Sequence, residues 1–280
     1  MFSASRPILL AVGAAFCASA VAQQELRVCS DPNNLPYSNQ QQQGFENRIA
    51  DLIGHDLHRP VVYFWFPQRE KFFKSTLDRG VCDVVMGVPV GFEDADTTQP
   101  YYRSTYVFIT RRDSGLHITS FDDPRLRTLK IGVHVLGEQD DSVPPVHAFT
   151  SRGIVRNLVG YSIFGNLNEA NPPADLIKAV ADKTVDVAVA WGPIAGYFAQ
   201  KSSVPLELTP VDSDSRNPSL PFHFDIAVGV REGDTALKQQ IDAELVRRRS
   251  EIAQILRAYG VPQLPQATPA AKPAKAEKGD

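Results

Sequence analysis

The sequence lacks a basic excess, a dense set of cysteines and, beyond its first segment, any long apolar run. Its 29 Lys and Arg residues stand against 32 Asp and Glu, for a formal net charge of -3. Nucleic acids and anionic lipid surfaces bind clustered cations, so we predict neither as a partner. A membrane anchor needs about 20 continuous apolar residues, which no later stretch supplies. Three cysteines in 280 residues exclude a small disulfide scaffold, and 43% hydrophobic residues exclude a disordered chain.

Sequence motifs of catalysis are missing as well. There is no GxSxG nucleophile elbow, no glycine-rich phosphate loop and no HExxH metal motif. His55 and His58 have the spacing of one helix face, but no third metal ligand is placed near them. The stretch with Glu93, Asp94 and Asp96 lacks the spacing of a calcium loop, which favours a solvated loop. We therefore predict no metal, no cofactor and no enzymatic activity.

The first 22 residues predict a secretory signal peptide. Arg6 precedes an apolar run from Ile8 to Phe16, and the small residues Ala20 and Ala22 mark a cleavage site after about Ala22. The sequence therefore predicts a periplasmic protein without a membrane anchor.

Two cysteines, Cys29 and Cys82, remain after such a cleavage. An oxidising compartment makes a disulfide between them possible. Two buried free thiols are an equal alternative, because Cys29 comes late in its candidate strand whereas Cys82 begins another, and a disulfide needs Cα atoms within about 7 Å. The sequence leaves both states open.

Strand and helix signals alternate along the chain. LRVCS, VVYFWF and CDVVMGV are typical of strands, and the helical patterns GFENRIADLIGHDL and REKFFKSTLDRG separate them. The continuous apolar run VVYFWF is typical of a strand buried on both faces. A second series follows the long strand YYRSTYVFITRR, and the strand FDIAVGV then returns. Alternation of this kind predicts an α/β fold of two lobes, each a mainly parallel sheet flanked by helices, joined by a two-strand hinge.

The order of these elements also predicts the domain bounds. Residues 25–102 plus 224–262 form lobe one and residues 107–221 form lobe two, with hinge strands at Tyr102 to Tyr106 and Pro221 to His223. Residues 263–280 are rich in Pro, Ala and Lys without apolar periodicity, which predicts a disordered tail.

Several of these strings resemble a known family. The order LRVCS, GFENRIADLIGHDL, CDVVMGV, LKIGV, VDVAVAWGP and FDIAVGVREGD resembles type II periplasmic solute-binding proteins over about residues 25 to 258. Within that superfamily, CSDPNNLPYSN, GFENRIA, CDVVMGVP, QPYYRSTYVFITR and LRAYGVP resemble the J proteins of methanol-oxidation systems (MoxJ, MxaJ, XoxJ). That resemblance implies a periplasmic accessory protein associated with a PQQ-dependent methanol or related alcohol dehydrogenase, and possibly with its c-type cytochrome.

The sequence departs in two places from the members of this superfamily that bind amino acids. Such proteins typically hold the ligand carboxylate with an arginine after the third strand, which a planar guanidinium does bidentately. The corresponding stretch GVPVGFEDADTTQP has no cation. They also hold the ligand ammonium with an aspartate after a late strand of lobe two, where this chain has Trp191. We refer to these two missing groups as the charged clamps.

Cleft and partner-binding candidates are polar, aromatic and cationic residues near strand ends and loops. Tyr37 matches the aromatic lid of the superfamily, with local packing as an equal alternative. Trp191 sits at a strand end that faces the space between the lobes, with buried packing at least as favoured. Arg69 and Arg103 are candidate anion contacts, but structural ion pairs are favoured, above all for Arg103, which falls in the hinge. The full set of candidates is Asn33, Asn34, Tyr37, Trp65, Arg69, Val88, Pro89, Tyr102, Arg103, Trp191 and Gly192.

Three functions remain open at this point. The favoured one is an accessory protein that binds, assembles or activates the dehydrogenase. The alternative is the solute-binding subunit of an importer for a small molecule other than an amino acid. A dehydratase-type enzyme, with Glu169 as its one candidate acid, is the least favoured because a shared fold does not carry chemistry.

Overall fold

The computed structural model describes residues 24–69, 71–136, 143–164 and 171–265. The predicted signal peptide, Glu169 and residues 266–280 of the predicted tail lie outside these ranges. The strands are β1 Leu26–Ser30, β2 Asn33–Asn34, β3 Ser38–Asn39, β4 Val61–Trp65, β5 Val84–Pro89, β6 Asp96–Thr97, β7 Tyr102–Arg111, β8 Ile131–Val135, β9 Leu158–Ser162, β10 Val187–Trp191, β11 Leu206–Pro210 and β12 His223–Val230. The α-helices are α1 Phe45–Asp56, α2 Phe72–Ser75, α3 Pro144–Thr150, α4 Ala174–Ala181, α5 Gly192–Gln200, α6 Thr235–Arg247 and α7 Arg249–Ala258.

One long strand, β7, connects two groups of strands. Its first residues pair antiparallel with β12, in a group where β4, β1 and β5 are parallel neighbours. Its later residues pair antiparallel with β10 and β11, in a group where β10, β8 and β9 are parallel neighbours. The strands are therefore hydrogen-bonded into one ten-stranded sheet, in which the pairing changes from one group to the other within β7. This mixed α/β arrangement of two strand groups confirms the predicted two-lobed fold, while the exact lobe bounds stay a prediction.

Tyr106 and Thr105 mark the change of partner in β7. The amide of Tyr106 donates to the carbonyl of Phe222, and its own carbonyl accepts from the amide of Val211, both over 2.9 Å. The Thr105 hydroxyl donates to the carbonyls of the same two residues. The last described residues also pack at this strand, because the amide of Leu264 donates to the carbonyl of Arg103. The second residue of the predicted tail is thus still hydrogen-bonded to β7.

Strand β4 differs from its prediction, because it is an edge strand and not a strand buried on both faces. It pairs with β1 alone in the described sheet, and Val62 and Phe64 are 41% and 39% exposed. Tyr63 and Trp65 lie on the other face, where Tyr63 packs against the core. An apolar run does not by itself distinguish an edge strand from a central one, because both can be rich in aromatic and β-branched residues.

The helix predicted over REKFFKSTLDRG is also shorter than its pattern, since only Phe72–Ser75 is helical. Lys71 precedes it in the left-handed region, with φ of 66°, and Leu77 is buried beyond the helix. Phe72 and Leu77 therefore enter the core through a turn-rich segment, and tertiary packing overrides the helical periodicity. Several short elements of the structure had no clear sequence signal, namely β2, β3, α3, β9 and β11.

Cys29 and Cys82 form a disulfide, with Cα atoms 5.6 Å apart. Val28 lies opposite Val84 in the parallel pairing of β1 with β5. Cys82 stands two residues before β5, where the amide of Asp83 donates to the carbonyl of Arg27 over 2.8 Å and so holds this segment beside β1. The bridge lies in an apolar cluster with Phe72.

A buried ion-pair network holds the loops of the second strand group. Arg152, whose side chain is 2% exposed, donates to Asp214 over 2.5 Å and to Asp122 over 2.9 Å. The guanidinium also lies over the Phe121 ring, 5.8 Å from its centroid. Burial is the largest single effect on Asp214 and opposes its ionisation, but the hydrogen bond and charge of Arg152 together with backbone amide donors outweigh burial and lower the pKa of that carboxyl.

We expect Arg152→Met to lower the free energy of unfolding by roughly 3 to 5 kcal/mol, because it leaves a buried carboxylate without its cation. Urea unfolding followed by circular dichroism measures this loss. The matched control is Lys178→Ala, which removes an exposed cation paired with Asp175 over 3.3 Å and should change stability little. Equal stability of the two variants would contradict the role given to Arg152.

Candidate functional site

A cavity of about 460 Å³ lies between the two strand groups. Its lining is mostly apolar and aromatic and is drawn from both groups and from the loop before α1. The described lining residues are Asn34, Tyr37, Glu46, Gln68, Met86, Gly87, Pro89, Tyr102, Tyr106, Leu136, Val143, Pro144, Ile163, Phe164, Trp191, Ile194, Phe224 and Ile226. Its volume falls in the usual range of small-molecule pockets. None of these lining residues is lysine, arginine or histidine.

Trp191 is the centre of an aromatic wall in this cavity. It ends β10 opposite Tyr106 of β7, and the two rings meet edge to face with centroids 5.3 Å apart. On its other side Trp191 meets the ring of Phe224 at 5.7 Å. Trp191 and Tyr37 each pack against the core of the first strand group and against one core cluster of the second. These two aromatic residues therefore join the two halves of the fold at the cavity.

Glu46 is the one acidic residue among the described lining residues. It is the second residue of α1 and is only 7% exposed. Its amide donates to the carbonyl of Tyr37 over 3.0 Å, which fixes the helix start against the loop that carries Tyr37. Its carboxyl lies over Gly87, where any Cβ would collide with Oε1. Glycine at position 87 therefore makes the room that the carboxyl occupies.

The electrostatics of the cavity follow from burial. Burial raises the pKa of Glu46 to about 8, so this carboxyl is mainly protonated at neutral pH in the empty cavity. Burial, with smaller effects of neighbouring groups, also raises the pKa of Tyr37 and Tyr102 well above the usual range. The same desolvation raises the pKa of Tyr106. The cavity is therefore nearly uncharged when empty, and its one readily ionised group is an acid.

Five of the sequence candidates line this cavity: Asn34, Tyr37, Pro89, Tyr102 and Trp191. Tyr37 combines both interpretations left open by the sequence. It lines the cavity and also packs locally, edge to face on Phe45 with ring centroids 5.4 Å apart.

Three other candidates are displaced by the strand geometry of the first group. Trp65 lies on the edge strand, stacked on Tyr63 at 4.7 Å. Val88 is 2% exposed and faces the disulfide cluster, because neighbouring residues of a strand point to opposite faces. Asn33 pairs with Asn39 in the small β2–β3 ribbon.

Three further candidates also lie outside the cavity lining. Arg69 borders a separate depression beside Phe73 and Phe92. Arg103 pairs with Asp225 over 3.1 Å at the hinge. Gly192 opens α5 so close to β7 that a Cβ would stand 2.5 Å from the Thr105 carbonyl, which accounts for a glycine there.

Four lining residues that determine the charge, the room or the aromatic wall of the cavity are not among the sequence candidates: Glu46, Gly87, Tyr106 and Phe224. Glu46 follows Phe45 in the string GFENRIA. The phenylalanine contributes to the family resemblance, whereas Glu46 has the pattern of an exposed residue at the start of a helix. A carboxylate in the first turn of a helix is usually explained by the helix dipole. No local pattern shows that the turn is covered by β5.

The fold and cleft define the class: a two-lobed type II periplasmic binding protein fold with a cavity between its strand groups. No family model matches the chain. The curated protein MoxJ of Methylorubrum extorquens is 34% identical to it over 246 residues, which covers 86% of this chain and 82% of MoxJ. The chain therefore belongs to the MoxJ family.

Two crystal structures of named relatives agree with this assignment. The structure of the periplasmic binding protein XoxJ from Methylobacterium extorquens AM1 gives a TM-score of 0.71 at 31% identity, covering 86% of this chain and 100% of XoxJ. MxaJ from Methylophaga aminisulfidivorans MPT gives a TM-score of 0.73 at 27% identity, covering 85% of this chain and 100% of MxaJ. The predicted relationship to MoxJ, MxaJ and XoxJ is confirmed.

Proposed function

We propose that the protein is a periplasmic accessory factor that binds a PQQ-dependent methanol or related alcohol dehydrogenase and raises its active yield without turning over substrate. The observation that carries this proposal is a cleft that keeps a large aromatic surface but has no cationic group among its described lining residues. Membership of the MoxJ family supports the choice of client. Export and removal of the first 22 residues belong to the same proposal.

The cleft mouth offers the chemistry of a protein-binding surface. Tyr37 and Trp191 are each partly exposed and lie at the meeting point of the two strand groups. Large aromatic side chains dominate the energies of protein interfaces, since they bury much area at a small entropic cost. We infer that a loop of the dehydrogenase, or of its c-type cytochrome, packs against these two rings.

Within the described part of the chain, no helix is long and apolar enough to cross a membrane. The same residues contain no group of three or more His, Cys, Asp and Glu placed to hold a metal ion. Neither finding decides between docking and solute binding.

A pull-down from periplasmic extract tests the docking surface. The tagged mature protein should retain a dehydrogenase that mass spectrometry and the PQQ absorption identify. The double variant Tyr37→Ala/Trp191→Ala should bind it roughly 30-fold or more weakly, because each ring is expected to be an interface hot spot. Trp65→Ala, on the edge strand away from the cavity, is the matched control and should retain the client. Retention by both variants would place the interface elsewhere, and absence of the dehydrogenase from the wild-type eluate would contradict the proposal.

Solute binding is the second candidate function, and the cavity of about 460 Å³ between the strand groups is the observation that favours it. A subunit of an importer would bind a small molecule in that cavity and close on it. The absence of both charged clamps from the sequence argues that this molecule is not an amino acid.

A further inference from the structure

We propose that the cavity binds a small organic cation of the alkylated ammonium class, held by the carboxylate of Glu46 and the aromatic faces of Tyr106, Trp191 and Phe224. This inference goes beyond the proposed role with a dehydrogenase and is tested by separate experiments.

The first step of the argument is the state of Glu46. Its side chain is 7% exposed, and no hydrogen bond from the described part of the chain reaches its carboxyl. Buried carboxylates are normally paired with a cation or with hydrogen-bond donors, because burial of an unpaired charge is costly. A carboxyl that lines a cavity without such a partner is suited to receive one from a ligand.

The second step concerns the surroundings of that carboxyl. The titratable groups that face it are tyrosines from three elements: Tyr37 from the loop before α1, Tyr63 from β4, and Tyr101 and Tyr102 at the start of β7. Burial raises the pKa of each of these tyrosines above the usual range, so all four are neutral. β5 contributes Met86 and Gly87, which do not titrate. The ligand is therefore the natural source of a positive charge.

The third step is the aromatic wall. A cation bound over aromatic rings is attracted by their negative faces, with an optimal distance within about 6 Å of the ring centroid. Tyr106, Trp191 and Phe224 form a continuous wall, with neighbouring centroids 5.3 and 5.7 Å apart. Alkyl groups on the nitrogen suit such a wall, because they weaken hydration of the cation and fill apolar space. A carboxylate-bearing ligand is disfavoured, since the described lining offers it no cation.

The test uses choline and tetramethylammonium as probes in calorimetric titration of the mature wild-type protein, with tryptophan fluorescence as a second readout. We expect saturable binding of at least one probe. The neutral carbon isostere of choline, 3,3-dimethyl-1-butanol, should bind at least tenfold more weakly, because it has the same shape without the charge. Absence of saturable binding of both cations at millimolar concentration would overturn the inference, and so would equal affinity for the isostere.

Substitution of Glu46 distinguishes a charge contact from simple packing. Glu46→Gln keeps the shape of the side chain and should weaken cation binding roughly 10- to 100-fold, the usual effect of losing one charge-assisted contact. Asp51→Asn is the matched control, since it removes an acid from the same helix at an exposed position outside the cavity. Unchanged binding by Glu46→Gln, with the melting temperature of both variants checked, would overturn the role of the carboxylate.

The pH dependence gives a further readout with a defined sign. The empty site holds a proton on Glu46 below its pKa of about 8, and a bound cation requires the ionised form, so binding releases this proton. The apparent affinity should rise about tenfold from pH 6 to pH 7 and level off above about pH 9. Calorimetry at pH 7 in buffers of different ionisation enthalpy should show release of close to one proton. Cation affinity that is independent of pH, without proton release, would contradict the coupling and the inference with it.

Discussion

Titration with the common α-amino acids is expected to show no binding in the micromolar range. The two charged clamps of amino-acid binders are absent from the sequence, and the described cavity lining has no cation for the α-carboxylate. Each lost charge-assisted contact is worth about 1.5 to 3 kcal/mol, so both together weaken binding by roughly two to four decades. Calorimetry of the mature protein measures this directly.

The control for that experiment is a urea unfolding curve of the same protein batch, which shows that the titrated protein is folded. A micromolar dissociation constant for any common amino acid would contradict the account. It would mean that an arginine outside the described cavity lining, such as Arg69 or Arg103, has moved to the ligand carboxylate.

Removal of the disulfide is expected to cost about 4 kcal/mol of unfolding free energy. The bridge from Cys29 to Cys82 closes a loop with a sequence separation of 53, and chain-entropy arguments for a loop of that length give a destabilisation of about this size. The double variant Cys29→Ala/Cys82→Ala keeps the cluster apolar, so the measured loss reports the cross-link and not a buried polar group. Urea unfolding of the two proteins gives the difference.

Reduction of the wild-type protein by dithiothreitol is the internal control for this measurement. The reduced wild type should unfold close to the double variant, while the reductant should leave the variant unchanged. If the oxidised wild type and the variant unfold at the same urea concentration, the disulfide does not stabilise the mature protein and this expectation is wrong.

Much of the architecture could be predicted from the sequence because strand and helix patterns follow one another in an informative order. β1, α1 and β5 each bury a continuous or periodic apolar face, and in these elements the tertiary packing agrees with the local pattern. The same patterns do not predict whether a strand lies at the edge or in the centre of a sheet. The pattern VVYFWF does not indicate how many strands pair with it. The exposure of Phe64 follows from the position of β4 at the edge of the sheet.

The cavity was predicted less completely than the fold. Tyr37 is a candidate through its resemblance to the aromatic lid of the superfamily, and Trp191 through its place at a strand end that faces the space between the lobes. Glu46 was not, because its burial is produced by residues distant in sequence, above all Gly87 on β5. Val88 is a candidate that does not line the cavity, because neighbouring residues of a strand point to opposite faces and only one of Val88 and Pro89 reaches the cavity. Local patterns identify elements, but burial of a single polar group depends on their packing.

The most direct test of the accessory role is the content of active dehydrogenase in cells that lack this protein. Deletion of its gene in the organism of origin should lower PQQ-dependent methanol or alcohol dehydrogenase activity severalfold, together with the holoenzyme content and growth on methanol. The wild-type gene should restore all three, and the Tyr37→Ala/Trp191→Ala variant should not. Unchanged dehydrogenase activity and holoenzyme content, with uptake of a small solute lost instead, would contradict the account and favour the solute-binding role.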